Sequence, residues 1–76
     1  MESLALQVNG KAASLEAPDP SALNHVLTLL DLRADRIAVE LNGSIVPRTD
    51  WDSTLVQGGD RLEIVHFVGG GAGPIA

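Results

Sequence analysis

Two Asn-Gly pairs, Asn9-Gly10 and Asn42-Gly43, constrain this chain more than any other feature. Asn-Gly readily supplies the two consecutive positive φ angles of a two-residue hairpin turn, so each pair flanked by alternating apolar residues predicts two antiparallel neighbours. Leu4, Leu6 and Val8 alternate with Ala5 and Gln7 ahead of the first pair. The return strand would run from Lys11 to Leu15, with Ala13 and Leu15 facing the core before Pro18 ends the pairing. Ile37, Val39 and Leu41 alternate ahead of the second pair, with a short return from Ser44 to Val46 that Pro47 stops.

Between the hairpins, Leu23, Val26, Leu27 and Leu30 form one apolar stripe at i, i+3, i+4 and i+7. Asp19 reads as an N-cap with Pro20 at the first helical position, so a helix is predicted from about Pro20 to Leu30. Asp31 to Arg36 is a polar connector. The stretch Thr49-Asp50-Trp51-Asp52-Ser53 is turn-like, with room for one helical turn, and Trp51 is the one large aromatic able to seal the end of a core. Gly58-Gly59-Asp60 marks another turn, and Arg61 to Val68 carries the longest strand pattern. Hairpin, crossover helix, strand, short strand, long strand is the β-grasp order. The expected class is α+β, a mixed four- to five-stranded sheet with one helix on one face, over residues 1–68. Residues 69–76 form a glycine-rich arm.

The chemistry open to such a chain is narrow. With 76 residues it makes one small domain, and a reaction cleft would have to be shared with a partner. It has no cysteine, which excludes disulfides, thiolate metal ligands and a thiol nucleophile. Ten acidic against five basic residues repel phosphate backbones, so nucleic acid is not an expected ligand, and the balance argues for a basic partner or plain solubility. His25 and His66 lie on different elements and match no metal-ligand spacing. His25 reads as a helix-flank polar residue, and His66 shares the parity of Leu62 and Ile64, which points it toward the helix side as a structural histidine, with contact to a partner as the other reading. The carboxylates form no evident acid/base couple. No basic leader precedes an apolar run and no apolar stretch is long enough to span a bilayer, so neither a signal peptide nor a membrane segment is expected and the expected location is cytoplasmic.

Two features remain at the C-terminal end. Gly69, Gly70, Gly71 and Gly73 are four of the eight glycines, and no helix follows them to make a phosphate loop. Without Cβ atoms, Gly69 to Gly71 could thread a narrow channel and carry a carboxylate about 10 Å beyond the body. A frayed terminus is the other reading. Val65 and Phe67 point away from Leu62 and Ile64, on the face that a single helix leaves open. Together with Ala38 and Ala5 they would make either a docking patch for a partner or a surface covered by a loop or a second copy.

Taken together, Val8-Asn9-Gly10, Val39-Glu40-Leu41-Asn42-Gly43, Ile45-Val46-Pro47-Arg48 with Trp51, Gly58-Gly59-Asp60-Arg61-Leu62-Glu63-Ile64-Val65 and the glycine end resemble the ThiS family. These are small ubiquitin-like sulfur carriers of thiamine biosynthesis. The resemblance covers residues 4–71. It implies that the carboxylate of Gly71, presented with Gly70, is adenylated by a ThiF-like enzyme and converted by persulfide sulfur to a thiocarboxylate. That group would donate sulfur to a ThiG-like thiazole synthase. The chain would then be a cosubstrate rather than an enzyme, binding no cofactor itself, with ATP and magnesium belonging to the activating partner. Partner contact would fall on Val65, Phe67, Gly69 and Gly70.

The sequence departs from the family in Ala72-Gly73-Pro74-Ile75-Ala76, which places Gly71 inside a peptide bond. Removal of this tail by a protease would free Gly71; a cloning addition and a loss of the activity are the other readings. A carrier of sulfur for molybdopterin, cysteine or a siderophore, a ubiquitin-like modifier, and a binding module are the alternatives to the thiamine reading, which the Val-Pro-Arg-x-x-Trp segment favours.

Overall fold

The computed structural model describes residues 2–32 and 36–67. A five-stranded sheet is built from β1 (Leu4–Val8), β2 (Lys11–Leu15), β4 (Ile37–Leu41), β5 (Ser44–Ile45) and β7 (Arg61–His66), in the order β2-β1-β7-β4-β5. β3 (Ser21–Ala22) and β6 (Leu55–Val56) pair as a separate antiparallel ribbon, and α1 (Leu23–Leu29) follows β3 directly. β1 and β7 are parallel, while β1–β2, β4–β5 and β4–β7 are antiparallel. This is the β-grasp arrangement, a mixed sheet with one helix on one face.

Both Asn-Gly turns form as the sequence predicts. Asn9 and Gly10 have φ of 52° and 83°, and Asn42 and Gly43 have 52° and 89°, the paired positive angles that match the twist of adjoining strands. Leu4, Leu6, Ile37, Val39, Leu62 and Ile64 project from one sheet face against Leu23, Val26 and Leu27 of α1. Leu4, Leu23 and Leu62 are sealed from solvent, each contributing about 1.5–3 kcal/mol relative to exposure.

The helix begins three residues later than the sequence predicts. Ser21 and Ala22 are extended because they pair with Val56 and Leu55, and the N-cap is Ala22 without a side-chain bond. Loop carbonyls do the capping instead: Leu23 N–H donates to Thr54 O (2.7 Å) and Asn24 N–H to Trp51 O (3.1 Å). Asp19 is released from the capping role and accepts from Gly58 N–H at 3.1 Å. Leu30 lies just beyond the helix as its C-cap. Asp31 takes φ 61° there, with its N–H on Thr28 O and Leu32 N–H on Leu27 O (both 3.0 Å), a Schellman closure with aspartate in the left-handed position.

The helical turn expected around Thr49 to Ser53 is a 3-10 turn at Arg48–Asp50. Trp51 follows it, 3% exposed, and its indole Nε1–H donates to Val46 O at 2.9 Å. It closes the core as anticipated. The second return strand ends at Ile45, although Val46 N–H still reaches Val39 O at 3.0 Å. β7 ends at His66, and Val68 lies outside the described residues.

Candidate functional site

The face of the sheet opposite α1 carries Ile45, Val65 and Phe67 among the exposed large apolar residues, while Leu29 lies on α1 and Leu55 on β6. Directly paired residues share a face. Ala38 lies opposite Val65, Glu40 opposite Glu63, and Glu40 also opposite Ile45, so these side chains lie together on the open side of β5, β4 and β7. Val65 is 57% exposed, Phe67 39% and Ile45 71%. Ala38 is half-buried and Ala5, on β1, is exposed. Val65 and Phe67 therefore stand where strand parity places them. Ile45 is an addition that the same parity could have found: a two-residue turn at Asn42-Gly43 pairs Glu40 with Ile45, which puts both on one face.

The apolar residues are bordered by like charge. Glu40 and Glu63 are cross-strand neighbours, an arrangement that opposes folding by roughly 0.2–1 kcal/mol in comparable pairs. The sequence predicts the acidic excess but not its location; register supplies that.

His66 differs from expectation. It pairs with buried Ile37, so its parity is as read, but at the end of β7 the side chain is exposed rather than packed under the helix. His25 is exposed on α1. Among the described residues, no group of three or more His, Cys, Asp or Glu side chains is placed to hold a metal ion.

Asn24, Arg48, Trp51 and Asp52 line a groove of about 260 Å³. Asn24 Nδ2 donates to Asp52 Oδ1 at 2.7 Å, which ties the start of α1 to the loop that caps it. Trp51 thus acts as a packing residue, and Arg48 stands exposed beside it.

In sequence, β7 is followed by Phe67, Val68 and then the glycines. Phe67 N–H donates to Arg36 O at 2.9 Å, holding the last described residue of the chain against the strand that begins with Ile37. The anticipated site residues Gly69, Gly70 and Gly71, and the tail from Ala72 to Ala76, lie outside the described residues.

The ThiS family model matches residues 5–71, nearly the whole chain. The chain belongs to the ThiS family of sulfur carriers. It is similar to the crystal structure of the thiamine biosynthesis protein ThiS from Geobacter metallireducens, with a TM-score of 0.78 and 35% identity over 90% of this chain and 100% of that one. The sulfur carrier protein ThiS of Escherichia coli K12 is 27% identical over 66 residues, covering 87% of this chain and 100% of that protein. A thiazole synthase of Magnetococcus marinus is 34% identical over 71 residues, which is 93% of this chain but 21% of that protein. ThiS-family proteins are cosubstrates and not enzymes, and this chain is one of them. Its general function is sulfur carriage in thiamine or related biosynthesis.

Proposed function

We propose that this carrier works through a Gly71 carboxylate, which is adenylated and then converted to a thiocarboxylate that supplies sulfur for thiazole formation in thiamine biosynthesis. The observation that carries the reading is the exposed surface of Val65 on β7 and Phe67 just after it, in the segment that precedes Gly69-Gly70-Gly71 in sequence. That exposed surface supports the reading, as does the sequence, which contains no thiol to carry sulfur as a persulfide.

A carboxylate at neutral pH is a poor electrophile. Transfer of AMP from ATP makes a mixed anhydride and releases pyrophosphate. A persulfide's terminal sulfur then attacks the acyl carbon and AMP leaves; a thiol attacks the resulting acyl disulfide and frees the thiocarboxylate. ATP and magnesium are bound by the adenylating, ThiF-like partner, and the sulfur is passed to a ThiG-like thiazole synthase. The similarity of nearly this whole chain to part of a thiazole synthase supports that last pairing. The cytoplasm, where ATP is at hand, is the proposed setting.

On this reading the partner surface is apolar at its centre, to receive Val65, Phe67, Ala38 and Ile45, and basic beside Glu40 and Glu63. Ala72 to Ala76 is removed before activation, since a peptide bond at Gly71 leaves no carboxylate to adenylate. The test is incubation of a chain ending at Gly71 with an adenylating enzyme, ATP and a persulfide source. The reading predicts a mass increase equal to exchange of one oxygen for sulfur at the terminus. An unchanged mass with active enzyme would refute it.

A further inference from the structure

β7 outruns its neighbour. β1 pairs with β7 through Gln7 opposite Arg61 and Val8 opposite Leu62, and then turns away at Asn9-Gly10, while β7 continues to His66. Asn9 bridges the step. Its N–H donates to Leu62 O at 2.8 Å, and its side-chain Oδ1 accepts from Ile64 N–H at 2.7 Å, 55 residues away in sequence and partly buried. The side chain thus extends the ladder by one bond after the backbone has left it.

Asn42 does the same at the opposite end of the strand. Its N–H donates to Arg61 O at 2.8 Å and its Oδ1 accepts from Arg61 N–H at 2.9 Å. The two clamps differ in what they hold. Asn42 grips the start of β7, whereas Asn9 grips Ile64, three residues before Phe67 and close to the run toward Gly69.

A residue at position 9 must tolerate φ of 52° and carry a short acceptor. Asparagine and aspartate satisfy both demands, and glycine satisfies only the first. We propose that Asn9 is a positioning residue of the carrier: by holding Ile64 it fixes where the chain leaves the sheet, and so where Gly71 is offered to the activating enzyme. This rests on the carrier chemistry proposed above.

Asn9→Gly and Asn9→Asp separate the acceptor from the backbone demand. In the full chain, amide exchange by NMR should quicken on the order of 10-fold at Ile64 and Phe67 in Asn9→Gly, with Val26 unaffected, and return to the original rate in Asn9→Asp. In chains ending at Gly71, adenylation by pyrophosphate exchange should show kcat reduced on the order of 10-fold in Asn9→Gly, KM for the carrier nearly unchanged, and both restored in Asn9→Asp. Unchanged kcat in Asn9→Gly, or equal loss in Asn9→Asp, would overturn the proposal. So would an exchange change spread evenly over the core. Should the unsubstituted chain itself not be adenylated, the carrier chemistry fails instead, and the exchange pattern alone decides whether Asn9 anchors the end of β7. Asn9→Ser, whose side chain is one atom shorter, puts the same question if Asn9→Gly does not fold.

Discussion

At the scale of single residues, side chains standing in for backbone account for much of this fold. Trp51 is the clearest case, because its burial and its Nε1–H bond to Val46 O act together. Trp51→Phe should cost about 1–3 kcal/mol in urea unfolding followed by circular dichroism, since a smaller ring leaves space and Val46 O loses its partner. Asp31 offers the opposite change. An aspartate at φ 61° in a Schellman closure is replaced to advantage by glycine, so Asp31→Gly should raise stability by about 0.5 kcal/mol, or about 2–4 °C in Tm. The sequence discloses Asn9, Asn42 and Trp51 as a turn former, a second turn former and a core seal. It does not disclose that both asparagine side chains grip β7, because that depends on which strand ends beside which.

At the scale of elements, hairpins are legible and short ribbons are not. Leu4 to Val8 and Ile37 to Leu41 announce themselves by alternation, whereas β3 and β6 have two residues each and no period to detect. That omission misplaces the helix start. Asp19-Pro20 has the local signature of a helix entrance, but pairing of Ser21 with Val56 and capping by Trp51 and Thr54 carbonyls override it. The open sheet face was readable from parity at Val65 and Phe67, and hairpin register extends it to Ile45. Val65→Asp should leave stability within about 0.5 kcal/mol, as expected for an exposed position, while weakening capture by the adenylating enzyme at least 10-fold in titration calorimetry. Glu63→Gln should act through charge rather than through apolar contact. Relief of the Glu40 opposition should add a few tenths of a kcal/mol, and loss of charge should slow association in a salt-dependent way.

At the scale of the whole molecule, the proposed function makes the β-grasp body a handle for a short reactive end. Order of elements was enough to anticipate the architecture, since a hairpin, one crossover helix and a long last strand leave few ways to cover one sheet face. In the proposed scheme the four glycines among residues 69–73 form the working end, and the exposed Val65 and Phe67 precede it closely in sequence. No side chain on that surface performs chemistry in the proposed scheme; the work of activation falls to partners. In the proposed scheme Gly71 becomes the terminus and gains sulfur. Intact-mass spectrometry of the protein from its native cells, with and without the adenylating enzyme and sulfur source, tests it most directly. The account predicts a chain ending at Gly71 whose mass rises by one oxygen-to-sulfur exchange when the partners are present. Persistence of the 76-residue form alone, with no species ending at Gly71, would contradict it.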